Sequence, residues 1–186
     1  MVSELIKENR SYRRFDANKK ISRDELVSMI EAARYCASAA NRQLLRFVPI
    51  ADSETCDKIF ENIRLAGYLR DWGGPEISER PVAYIAIMTE SEPNVNVGID
   101  MGIASEAITL VARERGIGAC LIGSFSKQAV SEILGRSPYE PRLLIMLGYP
   151  AETVSVVDAV NSEIKYFRNE RDEHLVPKLS LDELII

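Results

Sequence analysis

Residues 97–115 restrict more than any other stretch how this chain can fold. Their apolar side chains recur at helical spacing, with Ile99, Ile103, Ala107 and Leu110 marking one face. Met101, Ala104, Ile108, Val111 and Ala112 fill much of the remainder. A helix that is apolar nearly all round belongs in the centre of something larger. Gly98, Gly102, Ala104, Ser105 and Ala107 are small enough to let another backbone approach closely. A chain of 186 residues is too short to enclose such a helix on every side, so the helix is expected at a subunit interface, most simply a two-fold one.

The other elements follow from local signals. Ser22-Arg23-Asp24-Glu25 is a capping box, and the helix it starts should run to about Tyr35. Residues 47–51 suit a short strand with Pro49 at an edge or bulge. Ser53-Glu54-Thr55 is expected to cap a second helix through about Ala66. Residues 81–88 are continuously apolar and of strand length, which predicts a buried central strand. Gly116-Ile117-Gly118 ends the long helix, residues 119–122 form a short strand, and Ser126 caps a helix to about Leu134. Residues 142–147 predict another buried strand, and residues 164–167 one more in the tail. This alternation gives an α/β or α+β fold in one domain over 1–186.

Composition narrows the partners. A net charge of −5 argues against general nucleic-acid or membrane binding, because both reward broad basic surfaces. Glu4, Lys7 and Glu8 interrupt any signal-peptide core, and no apolar run reads as long enough to span a bilayer. Cys36, Cys56 and Cys120 are odd in number and far apart, so neither disulfides nor structural zinc are expected, and the chain reads as cytoplasmic. His174 is the only histidine and lies in a polar stretch, where it is expected at the surface. With one histidine and no clustered carboxylates, no metal is expected, and a cofactor should supply any hard chemistry.

Against this acidic background, Asn9-Arg10-Ser11-Tyr12-Arg13-Arg14-Phe15 is a basic island. Residues 7–23 carry Lys7, Arg10, Arg13, Arg14, Lys19, Lys20 and Arg23 against only Glu8 and Asp16, a local net of +5. Guanidinium forks match phosphate oxygens, and a serine hydroxyl adds a short donor. The cluster therefore reads as an anion site, with a solvated charged turn as the alternative. A second candidate is Ser38-Ala39-Ala40-Asn41-Arg42-Gln43, where small residues and two amides suit the polar edge of a flat heteroaromatic ring. Its alternative is a simple helix cap at Ser38. A third is Leu121-Ile122-Gly123-Ser124, where a strand ends at a glycine and frees backbone N–H groups; here a plain turn is the alternative. No Gly-x-Gly-x-x-Gly fingerprint follows a first strand, so a Rossmann dinucleotide site is not supported.

In their order and spacing these segments resemble the nitroreductase family of FMN-dependent enzymes. That family opens with Arg-Arg-Ser-x-Arg-x-Phe and continues with Ala-Pro-Ser-x-x-Asn-x-Gln-Pro-Trp-x-Phe. A Gly-hydrophobic-Gly strand and a Leu-Gly-Tyr-Pro turn follow. The counterparts here lie at 9–15, 36–47, 116–125 and 147–150. The resemblance implies an α+β fold, a central, mostly antiparallel sheet flanked by helices, and a homodimer with FMN at its interface. It implies that Arg10, Ser11 and Arg13 hold the FMN phosphate, that Tyr12 contributes by its backbone or ring, and that Lys178 reaches the same phosphate. Ser38, Ala39, Asn41 and Gln43 would line the ring and ribityl chain, often from the partner subunit in this family. Leu121, Ile122, Gly123 and Ser124 would lie along the isoalloxazine, with the Gly123 N–H assisting at N5. Arg14 is expected to be only a solvated neighbour.

The chain departs from the pattern at Asn9, Ala37 and Leu44-Leu45, which puts the pocket's shape in question. Tyr68 and Trp72 are tentative substrate-stacking residues, with packing against the fold as the alternative. The implied activity carries hydride from NADH or NADPH to a nitroaromatic, a quinone or another electron-poor acceptor, in ping-pong fashion. The alternatives are a same-fold flavoenzyme with dehalogenation or dehydrogenation chemistry, or a flavin-binding sensor without turnover.

Overall fold

The computed structural model describes residues 1–90, 94–135 and 137–186. Four strands, β1 (Arg46–Ile50), β2 (Ala83–Thr89), β3 (Gly118–Ile122) and β4 (Glu140–Gly148), form an antiparallel sheet in the order β1-β2-β4-β3. Every residue of β2 is buried, as its unbroken apolar run requires of a strand covered on both faces. Alternation still sorts its side chains. Ile85 and Ile87 join one core cluster, while Tyr84, Ala86 and Met88 join the other. Pro49 is accommodated because β1 is an edge strand, where it lies opposite Ile85.

Helices cover both faces. The first core cluster is sealed by α2 (Arg23–Arg34) and α4 (Val95–Glu114), through Leu26, Met29, Ala104, Ile108 and Ala112. The second lies under α3 (Ser53–Phe60) and α5 (Lys127–Leu134), through Ile59, Val130 and Leu134. An N-terminal helix, α1 (Val2–Glu8), buries none of its residues. The capping box forms at α2 as expected: the Glu25 amide donates to Ser22 Oγ at 3.2 Å, and Glu25 accepts from the Ser22 amide at 2.8 Å. Ser126 likewise caps α5.

Three expectations need correction. The second helix starts one residue earlier, at an Asp52 cap, and stops at Phe60 instead of about Ala66. Its continuation is diverted into backbone pairing, with the Arg64 amide on the Ser124 carbonyl and the Ser126 amide on the Asn62 carbonyl, at 2.8 and 2.9 Å. The strand expected at 164–167 shrinks to β6 (Phe167–Arg168), because Asn161 and Ser162 turn the preceding chain through left-handed conformations. β6 belongs to a second sheet that the sequence reading did not anticipate. In it β7 (His174–Lys178) pairs in parallel with β5 (Val154–Asp158) and antiparallel with β6. The chain closes with a short α6 (Leu181–Leu184).

α4 is 20 residues long and, at a mean hydropathy of 1.4, long and apolar enough to cross a membrane by those two measures. Its inner face is nevertheless part of the core and carries buried Asp100, Ser105 and Thr109. Its outer face leaves Ile99 55% and Ile103 39% exposed, beside Gly98 and Gly102 with open space around them. The sequence expects a second subunit at this helix; of the small residues it named, Gly98 and Gly102 lie on the open face, while Ala104 and Ser105 are buried in the chain's own core.

Candidate functional site

The basic motif is placed by backbone pairing against the sheet edge. Ser11 bridges Ala119 of β3 in parallel, and the Tyr12 amide donates to the Ala119 carbonyl at 3.0 Å. The Tyr12 ring then packs directly over Gly118, where a Cβ would fall 2.8 Å from it. Glycine at 118 is therefore what lets the motif lie close against β3. Phe15 is fully buried against Gly148 in the same way.

Beneath the motif lies Glu152, whose side chain is 2% exposed. It accepts the backbone amides of Arg13 and Arg14 and pairs with Arg168 at 2.5 Å. A buried carboxylate needs this many partners to remain buried. Arg14 is not the solvated neighbour expected. Its guanidinium is largely buried, pairs with Asp172 and with Glu79 at 3.5 Å, and lies over Trp72. Arg168 stacks on the same indole, 5.3 Å from its centroid, so Trp72 is a packing residue between two arginines and not a wall of the site.

A cavity of about 260 Å³ opens above this base, lined by Arg10, Ser11, Arg13, Leu121, His174 and Lys178 among others. Two walls come from opposite ends of the chain. Residues 9–13 form one; His174, Val176 and Lys178 form the other, every second residue of β7 and so on one face of the strand. Among the described residues Arg10, Arg13 and Lys178 have no carboxylate partner, unlike Arg14, Arg113 and Arg168. The Arg10 Nε is buried without a hydrogen-bond partner, and only its Nη2 is tied back, to the Ile6 carbonyl at 2.6 Å. Asn9 donates to Thr109 at 2.8 Å and to Glu106, the one acid on the wall, at 3.3 Å. At the position of the expected first arginine the chain thus holds an amide that fastens the motif to α4.

His174 overturns the surface expectation. It is 1% exposed, with Nε2 3.2 Å from Arg13 Nη1 and the Tyr166 ring tilted against it, centroids 5.2 Å apart. Burial and the adjacent Arg13 charge push its pKa down to about 4. Tyr166 was also missed by the sequence reading: it lines the cavity, lies 4.7 Å under Arg13, and meets Tyr68 at 4.9 Å. Tyr68 is 53% exposed and so stands at the rim, one ring removed from the basic wall.

The remaining expected residues are distributed elsewhere. Tyr12 and Ile122 are core residues below the cavity, with Tyr12 engaged in packing by its ring and in pairing by its amide. Gly123 and Ser124 face a different, more polar cavity with Asn62 and Arg64. Ser38 and Gln43 line a third, of about 300 Å³, together with Cys36, Phe47, Asp100 and Ala104. That loop is held by Asp100, which accepts from the Ser38 hydroxyl at 2.7 Å and from the Ala39 amide at 3.0 Å. Ala40, Asn41 and Gln43 all adopt left-handed backbone conformations, with φ near 50°, a strained arrangement for non-glycine residues. Asn41 stays exposed and hydrogen-bonds the Gln43 side chain at 3.1 Å. Within one chain, then, the basic motif and the 38–43 loop line separate cavities.

Known proteins share this fold. The Nitroreductase family model matches residues 6–67 and 68–149. The relative named "Putative NAD(P)H nitroreductase YdgI" of Bacillus subtilis (strain 168) is 27% identical over 184 residues, covering 80% of this chain and 88% of the relative. The FMN reductase [NAD(P)H] of the same organism is 29% identical over 177 residues, covering 81% of this chain and 68% of the relative. In the crystal structure of a nitroreductase family protein from Streptococcus pneumoniae TIGR4 the fold recurs with a TM-score of 0.70 at 18% identity, covering 100% of this chain and 99% of that one. The α+β sheet with its parallel-paired tail is thus a nitroreductase-like fold, and the chain belongs to the nitroreductase family.

Proposed function

We propose that this protein is an FMN-dependent NAD(P)H oxidoreductase acting on small electron-poor acceptors such as nitroaromatics or quinones, in ping-pong fashion. The observation that carries the reading is the convergence of Arg10, Arg13 and Lys178, unpaired among the described residues, on one cavity with the Ser11 hydroxyl. Cations left without carboxylates in an acidic protein fit a ligand that brings its own charge, and a phosphate monoester meets that need. When bound, FMN would supply the hydride-transfer chemistry that links NAD(P)H to the acceptor.

The chain's own residues bind and orient. Arg10, Arg13 and Lys178 hold the phosphate, and Ser11 donates beside them. Leu121, 43% exposed on the edge strand, offers an apolar wall, while Tyr166 and Tyr68 narrow the approach from the rim. The ring-binding residues Ser38, Ala39, Asn41 and Gln43 come from a second copy. α4 supports this arrangement, because Glu106 and Thr109 line the basic cavity while Asp100 and Ala104 line the one beside the 38–43 loop. A partner seated along Ile99 and Ile103 brings one copy's loop toward the other's basic cavity. Three free thiols suit a reducing, cytoplasmic setting, and burial pushes the Cys56 thiol up to about 12.

The test begins with the visible spectrum of purified protein incubated with FMN, followed by anaerobic addition of NADH or NADPH. A flavin band that bleaches with either nucleotide is expected. A bound flavin that stays oxidised with both would leave a flavin-binding protein without reductase activity, and no flavin uptake would remove the cofactor assignment altogether.

A further inference from the structure

Arg13 is held by an unusual partner for a guanidinium. Its Nη1 is committed to the Ser11 carbonyl at 3.1 Å and to His174 Nε2 at 3.2 Å. Its Nη2 and Nε bond no described residue. Arginine has no acceptor, so Nε2 must be the accepting nitrogen and Nδ1 must carry the ring hydrogen. That Nδ1 is buried and without a protein partner. The ring cannot readily swing away, since Tyr166 covers it and the His174 amide is fixed to the Thr153 carbonyl at 2.9 Å.

We infer that His174 is a positioning residue of the anion site: its neutral imidazole accepts from Arg13 Nη1 and pins the guanidinium over Tyr166, leaving Nη2 and Nε for the phosphate. This rests on the FMN reading above and adds a residue to it. The charged groups acting on the imidazole are Arg13 from the N-terminal motif, Glu152 from the turn after β4 and Arg168 from β6, while Arg10, Glu106 and Lys178 line the same cavity. Tyr166 and Cys120 are its neutral titratable neighbours on the cavity wall. Burial, helped by Arg13 and Arg168 and opposed by Glu152, keeps the ring unprotonated, so the Arg13 contact persists across the physiological range. A cationic imidazole would lose its acceptor and repel Arg13.

The chain has a single histidine, so its imidazole can be observed alone. In FMN-free protein labelled with ¹⁵N-histidine, the nitrogen shifts are expected to show the neutral Nδ1–H tautomer unchanged from pH 8 to pH 5. An Nε2–H tautomer, or a ring that titrates near 6.5, overturns the inference without touching the FMN assignment. FMN dissociation constants, read by flavin fluorescence, supply the second arm. His174→Gln, whose amide oxygen can still accept from Arg13, should bind within about twofold of wild type. His174→Leu should bind about five- to tenfold more weakly, the size of one lost orienting hydrogen bond. Equal affinities in the two variants, whether both retained or both lost, overturn the role. Failure of the wild-type protein to bind FMN would instead sink the underlying reading, while the tautomer measurement would still stand.

Discussion

The carboxylate of Glu152 accepts from the backbone amide of Arg14 at 3.0 Å, while that residue's guanidinium forms its ion pairs with Asp172 and Glu79. It takes the Arg13 amide with the same oxygen and Arg168 with the other. The basic motif is thus held by its backbone, which leaves the Arg13 side chain for other work. Removing one member of a buried ion pair strands its partner and typically costs about 3–5 kcal/mol. Glu152→Ala should therefore lower the thermal midpoint and loosen FMN binding together. A variant with wild-type unfolding and wild-type FMN affinity would contradict this account.

The two adjacent arginines should separate cleanly. Arg13→Ala is expected to weaken FMN binding by about 1.5–3 kcal/mol, the range for hydrogen bonds to a charged group. Arg14→Ala should leave FMN affinity near wild type and act on unfolding, through lost contacts with Asp172, Glu79 and Trp72. Asp172 is well exposed, so that stability loss should stay near ~1 kcal/mol. Fluorescence titration and thermal unfolding of both variants decide the matter. Equal losses of FMN affinity would merge their roles.

Acid should destabilise the protein in a specific window. The pKa of His174 is pushed down to about 4 from an ordinary value near 6.5, so between those limits the unfolded chain binds the extra proton. The associated stability is fully present above about pH 6.5 and is lost as the pH falls toward 4, by an amount on the order of 2 kcal/mol. His174→Gln should flatten the urea-unfolding profile in this interval. An unaltered slope would show that other groups govern it.

Close packing at Gly118 couples the fold to the site. A Cβ there would stand 2.8 Å from the Tyr12 ring and 2.9 Å from Pro150. Gly118→Ala should cost about 1–3 kcal/mol of stability and weaken FMN binding by displacing the motif from β3. Gly148→Ala, which crowds the fully buried Phe15 at 2.7 Å, should cost a similar amount. Its effect on FMN should be smaller. Reversal of that order would place the motif's anchor elsewhere.

The outer face of α4 supplies the test of assembly. Ile99→Glu or Ile103→Glu puts a charge on the face proposed to meet a second copy, where an unpaired buried charge costs several kcal/mol. Light scattering should show a monomer, and FMN should be lost with the partner's 38–43 loop. A variant that stays dimeric and flavin-loaded would move the interface off this helix.

Local signals carried much of the fold. The capping box at Ser22, the apolar run of β2 and the length of α4 are properties of contiguous residues, and the sequence shows them directly. The anion site was half legible. Arg10, Ser11 and Arg13 are a local pattern of arginine forks beside a serine, and Lys178, implied by the family resemblance, lines the same cavity. His174 and Tyr166 were not legible, since their burial depends on β7 pairing in parallel with β5, some twenty residues earlier. The helix expected to reach Ala66 ended early for a related reason, as Asn62 and Arg64 found partners at 126 and 124. Arg14 was misjudged because an ion-pair network assembled from distant residues cannot be seen in a short window, and of the two readings of Trp72 the arginines over its ring favour packing. The one local clue available was the His174, Val176, Lys178 alternation.

That alternation has a consequence for biogenesis. Two of the cavity's walls come from residues 9–13 and residues 174–178, far apart in the sequence. A chain in which β7 has not docked has the arginines in place but not Lys178 or His174. On the proposed reading, flavin uptake would therefore report the docking of that strand.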